Sequence, residues 1–226
     1  MLRTVLLTSL ALLVSLPAIA QGVSTVLQTI NEYNRIPPLQ NPEYERGTKI
    51  LDRRISDRKN RVVGELNDVI YKDNGALKSL NVEFDRLKLS QPVYLGYYAL
   101  KIKPASNSYQ VNLDDKQIGS LYPELLAGIE TAAGPGSEDL SLEKTIGSQA
   151  RAEDGRQIGT VEDVLFSASG DRIEAVYIKL SAANVAGKSV AIPMDSVKLV
   201  NEGDKPTALL TNDVANAMIA YASGKK

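Results

Sequence analysis

The sequence predicts a mainly β protein: two small antiparallel β-barrels in tandem, each with a short C-terminal helix, and a further helix at the N-terminus. Three observations carry that expectation. The stretch GRQIGTVEDVLFSASGDRIEAVYI, residues 155–178, has a looser copy in NRVVGELNDVIYKDNGALKSLNV, residues 60–82. A repeat that agrees mainly in apolar residues and turn glycines points to duplication of a fold rather than of a catalytic site. Within the second copy Val176, Ile178 and Leu180 alternate with Ala175, Tyr177 and Lys179, the period of two that gives a strand one buried face. Between the copies, Gly134-Pro135-Gly136-Ser137 reads as a linker.

The first twenty residues read as a cleavable signal peptide. Arg3 supplies the positive start, Val5 to Ser15 an apolar run, and Ala18-Ile19-Ala20 the small-x-small pattern that places cleavage after Ala20. The run is shorter than the roughly 20 residues a spanning helix needs, so the expectation is a periplasmic or secreted protein with no transmembrane segment in the mature chain. Residues 21–42 then form an N-terminal helix and lead-in. Val23, Val26, Leu27 and Ile30 make one apolar stripe, expected to dock on the first barrel, and Pro37-Pro38 end the helix.

The first barrel is assigned to 43–126, the linker to 127–141 and the second barrel to 142–226. Gly64 matches Gly159, the run Asp68 to Tyr71 matches Asp163 to Phe166, and Gly75 matches Gly170, all at a spacing of 95. After one extra turn residue, Leu77, Leu80, Val82 and Phe84 match Ile173, Val176, Ile178 and Leu180. Asp73-Asn74-Gly75 and Ser169-Gly170-Asp171 read as hairpin turns, because Asn and Gly tolerate positive φ. Ser189 to Pro193 is a strand closed by a residue that cannot donate to a ladder. Leu209-Leu210 is a last strand, after which Thr211 caps a helix presenting Val214, Met218 and Tyr221 on one face. The Gly-Pro-Gly segment predicts two halves that fold independently.

Composition excludes more chemistry than it suggests. With no His and no Cys there is no imidazole base, no thiol nucleophile, no disulfide and no His- or Cys-ligated metal. No catalytic residue, metal or cofactor is expected. Without Arg3, 25 Lys and Arg stand against 27 Asp and Glu, so no global charge draws the chain to nucleic acid. The basic run Arg53 to Arg61 (RRISDRKNR) reads as a solvated face before it reads as an anion site. Asp68 and Asp163 fall in different halves and read as turn-bonding carboxylates rather than an acid–base pair. Ser141-Leu142-Glu143-Lys144 matches the Ser-x-x-Lys pattern of penicillin-recognising enzymes by four residues alone. Asp114-Asp115 and Glu153-Asp154 lack a calcium loop and read as a helix start and a turn.

Taken together, Gly159, Val161, Asp163 and Val164, the turn glycine Gly170 and the segment Val190 to Pro193 resemble the PRC-barrel family. That family is named for the cytoplasmic domain of the photosynthetic reaction-centre H subunit and includes the C-terminal domain of a ribosome maturation factor. The resemblance covers about Thr145 to Asn212. It implies a strongly bent β-barrel without common catalytic residues, and a docking or assembly role. The first half departs from the pattern: Gly96-Tyr97 stand in place of Pro193-Met194. It also carries a cluster of Tyr94, Tyr97, Tyr98 and Tyr109 where the second copy has small or aliphatic residues, and Tyr94, Tyr97 and Tyr98 are the candidate binding residues, since Tyr joins apolar area to a polar tip. The expected function is a non-catalytic, exported interaction module whose partner is another envelope protein. Two alternatives stand beside it: a periplasmic small-molecule or polymer binder, and a His- and Cys-free enzyme using carboxylate, Lys or Tyr chemistry between the barrels.

Overall fold

The computed structural model describes residues 19–85, 93–120 and 136–224. Its chain begins with α1 (Ile19–Tyr33) and a 3-10 turn (Pro38–Gln40). The first half follows as β1 (Tyr44–Arg46), α2 (Gly47–Leu51), β2 (Arg54–Ser56), β3 (Val62–Tyr71), β4 (Leu77–Phe84), β5 (Val93–Gly96), β6 (Lys103–Ala105), β7 (Ser108–Gln110) and α3 (Asp115–Ser120). The second half repeats the order as β8 (Leu140–Ser141), α4 (Leu142–Thr145), β9 (Gln149–Ala152), β10 (Gln157–Ser167), β11 (Ile173–Leu180), β12 (Ser189–Pro193), β13 (Lys198–Glu202), β14 (Lys205–Leu210) and α5 (Asn212–Ala222). The linker residues up to Pro135 lie outside the described residues.

The protein is mainly β, in two seven-stranded sheets of corresponding order. One runs β5-β4-β3-β2-β7-β6 and the other β12-β11-β10-β9-β14-β13. The strands β4 and β11 alternate buried and open positions in one identical pattern. Neither sheet is wholly antiparallel: β2 pairs parallel with β7, and β9 with β14. In each half the chain crosses the sheet after its central hairpin and returns beside the short first strand in the same direction. Gly64 and Gly159 mark the tightest packing, since a Cβ there would meet the carbonyl oxygens of Glu83 at 2.3 Å and Lys179 at 2.1 Å. Glycine lets two backbones approach that closely.

The seventh strand of each sheet comes from the other half. β1 pairs with β10 (Arg46 beside Leu165), and β8 pairs with β3 (Ser141 beside Ile70). A single apolar cluster accordingly runs through both halves, from Ile50, Val69 and Leu80 to Leu142, Val164 and Val176. The halves, expected to fold independently, share one core here, each taking up the lead-in segment of the other. The hairpin turns also meet, with Ile173 donating its N–H to the Gly75 carbonyl at 3.0 Å.

The N-terminal stripe needs a correction. Ile30 is buried, and Val26 and Leu27 are partly buried, but α1 packs on β12 and α5, both in the second half. Tyr33 stacks on Tyr44 with ring centroids 6.3 Å apart, and together they cover the patch formed by Leu165, Ala175 and Ala191. At the C-terminus Thr211 caps α5, its hydroxyl accepting the Val214 N–H, with Val214 and Met218 buried.

Candidate functional site

The repeated aspartates sit where each half receives the other's lead-in. In β3 the register slips between Leu66 and Asp68, and in β10 between Val161 and Asp163. Such a bulge turns the next side chain, here the carboxylate, inward. Asp163, fully buried, accepts from Arg46 Nε at 2.8 Å, Thr48 Oγ1 at 2.8 Å and the Thr48 N–H at 3.1 Å. Asp68 accepts from Ser141 Oγ at 2.6 Å and the Glu143 N–H at 3.0 Å. Each carboxylate also takes the N–H of the residue after it, Val164 or Val69. The two sites are not equivalent in charge. Asp163 has a guanidinium, whereas burial raises the pKa of Asp68 and the Glu143 carboxylate adds to that rise, against the bonds from Ser141, Glu143 and Val69. Both aspartates hold a strand and a helical turn from the opposite half. Ser141 serves the same seam, since its Oγ also caps α4 by accepting the Lys144 N–H, which accounts for the Ser-x-x-Lys match.

The outer edges of the sheets differ more. In β12 the N–H and C=O of Ala191 point away from β11, because the hydrogen-bonded pairs on this ladder are those in phase with Leu180 and Lys188. Asn34 closes them: its amide oxygen accepts the Ala191 N–H at 2.8 Å and its nitrogen donates to the Ala191 carbonyl at 2.7 Å. Pro193, two residues on, has no N–H to expose. The corresponding edge of the first half is β5. Tyr97 donates its N–H to Lys78 O at 2.9 Å, which sets the phase and leaves Tyr94 N–H, Tyr94 C=O and Gly96 N–H directed outward. Gly96 C=O is taken by the Leu100 N–H. Among the described residues, no strand pairs with this outer edge.

The three candidate tyrosines separate. Tyr97 is 4 % exposed and Tyr98 is 69 % exposed; their rings meet edge to face at 5.3 Å. Tyr97 continues inward to Tyr109 at 6.2 Å, and burial pushes its hydroxyl pKa up to about 12. Tyr97 is a core residue at the end of the apolar phase Val93, Leu95. Tyr94, half-buried on the opposite face of β5, lies toward Asp68; burial raises its pKa and the Asp68 charge adds to that. Beside the open edge, Tyr98 is therefore the exposed ring and Tyr94 a half-buried one.

The basic run is largely neutralised within the protein. Arg53 pairs with Glu45, Arg54 with Glu65, Arg58 with Asp114 and Arg61 with Asp57. Burial raises the Asp57 pKa, but the Arg61 and Lys59 amides and the Arg61 guanidinium overcome this and hold it at about 2. Asp114 and Gln117 form a reciprocal cap at the start of α3, and Asp154 binds Arg156 across a turn. No group of three acidic side chains that could hold a metal occurs among the described residues, and no helix there is long and apolar enough to cross a membrane.

Sequence reasoning missed Asn34, Arg46 and Thr48. None has a local signal, because each acts on a backbone or carboxylate more than a hundred residues away. In comparison with known proteins, residues 138–205 match the family model of the PRC-barrel domain. Among curated proteins no match to the chain is found.

Proposed function

We propose that this chain, whose second half carries a PRC-barrel domain, is an exported, non-catalytic docking protein of the cell envelope, with β5 as its docking strand. One observation carries the docking reading: two equivalent sheet edges differ in closure. Asn34 and Pro193 close β12, whereas β5 presents two N–H groups and a carbonyl beside the exposed ring of Tyr98. An extended segment of a partner can add to such an edge, with main-chain bonds giving affinity and neighbouring side chains giving selectivity. The first half is read as a diverged copy of the same domain, supported by the shared strand order and the matching bulges before Asp68 and Asp163.

The deciding substitution is Gly96→Pro, which gives β5 the residue that β12 already has. It removes one outward N–H and no sheet bond, so capture of an envelope partner by crosslinking should be lost while the melting temperature stays unchanged. A lowered melting temperature with intact capture would show that the chain's own residues occupy this edge, and the docking reading would fall. Export is checked separately: N-terminal sequencing of protein from the cell envelope should begin at Gln21, and a retained Met1 would refute it.

A further inference from the structure

Reciprocal exchange creates a recognition problem. Each half offers a socket (Asp68 on β3, Asp163 on β10) and an inserted segment (β1 with α2, β8 with α4), and the two sets are homologous. A first half could therefore receive the segment of a first half from a second copy of this chain, and similarly for second halves. Exchange of identical elements between copies needs little beyond a hinge. Something must favour the unlike pairing within one chain.

The register of the two sheets shows where the seam is unlike. Arg54 pairs in parallel with Ser108, and Gln149 with Thr207, so Arg53 corresponds to Ser148 and Tyr109 to Ala208. Arg53 and Tyr109 both reach across to the turn of the other half. Tyr109 donates its hydroxyl to the Gly170 carbonyl at 2.7 Å. The Arg53 guanidinium lies 5.1 Å from the Tyr109 ring centroid and fits against Gly170, where a Cβ would come within 2.9 Å of Nη1. The matching turn at Gly75 is one residue shorter, and its carbonyl is already taken by the Ile173 N–H.

Arg53 does not have the profile of a stabilising residue. It is buried, its Nη2 binds Glu45 Oε2 at 2.5 Å, and its Nε and Nη1 have no hydrogen-bond partner among the described residues. A buried ion pair with unsatisfied donors commonly contributes less stability than apolar residues of the same size, and the best-attested reason to keep one is to fix register or partner. We infer that Arg53 and Tyr109 are the specificity pair that directs segment exchange to the unlike half of the same chain and against a second copy. A first half facing another first half would bury the Arg53 charge against the shorter turn, without the Gly170 carbonyl for Tyr109. Two second halves would meet through Ser148 and Ala208 and leave the Gly170 turn uncontacted. The discrimination arises from what the wrong pairing leaves unpaired.

The test uses the full chain with Arg53→Met and Tyr109→Phe together, which keeps volume and removes the charge and the hydroxyl. Both proteins are refolded at rising protein concentration, and their masses are measured by light scattering after size exclusion. The wild type should give the same species throughout. The variant should show roughly tenfold more higher-mass species, which corresponds to about 1.4 kcal/mol of lost discrimination. A folded variant with the wild-type mass distribution would overturn the inference. Arg53→Met with Glu45→Met, which replaces the whole ion pair, decides the matter if the first variant does not fold: it should melt at or above the wild-type temperature, and a clear fall would show that the pair is there for stability instead.

Discussion

In the second half the free side of β12 is occupied by a side-chain amide and ended by a proline, and α1 lies over it. In the first half the same side of β5 carries outward N–H groups, and the ring that follows, Tyr98, stands in solvent. The seams between the halves differ far less, since both use a bulged aspartate to hold an incoming strand and helical turn. The two halves agree in the parts that make the fold close on itself and differ in the parts that face outward. The function special to either copy is therefore to be sought at the edges and not at the repeated aspartates.

The largest expected effect comes from breaking the comparison outright by separating the halves. Residues 137–226 alone would leave Asp163 without Arg46 and Thr48, and Leu165, Ala175 and Ala191 without the cover of Tyr33 and Tyr44. Uncompensated buried charge and exposed core together exceed the marginal stability of a small domain. The fragment should show no cooperative melt by circular dichroism; a sharp transition would mean that the exchange is dispensable.

Next in size is the contrast between the two seams. Asp163→Ala deletes an ion pair, strands the buried Val164 amide and leaves the half-buried Thr48 hydroxyl without its acceptor, at a cost of about 3 kcal/mol. Asp68→Ala removes a carboxylate that has no ion-pair partner among the described residues and is opposed by burial and by Glu143, so about 1–2 kcal/mol is expected. Denaturant titration of both variants checks the order. Equal losses would show that the Arg46 pair adds nothing.

Acid sharpens the comparison further. Asp57, with no exposed surface, belongs to the first half, and Ala152 stands at the matching place in the second. Its folded pKa is depressed, so its contribution is present above the ordinary value of 3.8 and is lost as pH falls through about 2. Asp68 acts in the opposite sense: its raised pKa makes the folded state bind the proton more tightly, a gain on acidification. Stability measured from pH 5 to pH 2 should thus flatten in Asp57→Asn, whereas an unchanged slope would place the acid sensitivity elsewhere.

Much of this architecture was legible from spacing. The hairpins, the turn glycines, the capped last helix and the repeat itself are local patterns, and period two or a Thr before an apolar stripe reports them directly. The sequence reading places Tyr97 among the binding residues, whereas Val93, Leu95 and Tyr97 share one phase that runs past the end of the strand and buries that ring. The exchange was not legible. A linker rich in Gly and Pro looks the same whether the halves part or interlock, and nothing near Asp163 announces Arg46. The α1 stripe likewise shows that one face is covered but not which half covers it, because a helical period carries no address.

The smallest expected effect on stability belongs to Tyr98, and it bears on function most closely. Its ring touches Tyr97 edge-on and is otherwise in solvent, so Tyr98→Ala should change the unfolding free energy by no more than about 0.5 kcal/mol. If β5 captures a partner strand, this ring sits at the end of the new pair and would be covered by it. An aromatic anchor covered at an interface typically contributes about 2 kcal/mol or more to binding, a loss of roughly thirtyfold in affinity. Capture should therefore weaken by that factor in Tyr98→Ala with the melt unmoved, while the same truncation at Tyr97 would lower the melt as well because that ring is core. Binding that survives Tyr98→Ala but not Gly96→Pro would shift the recognition from the aromatic ring to the strand's main chain.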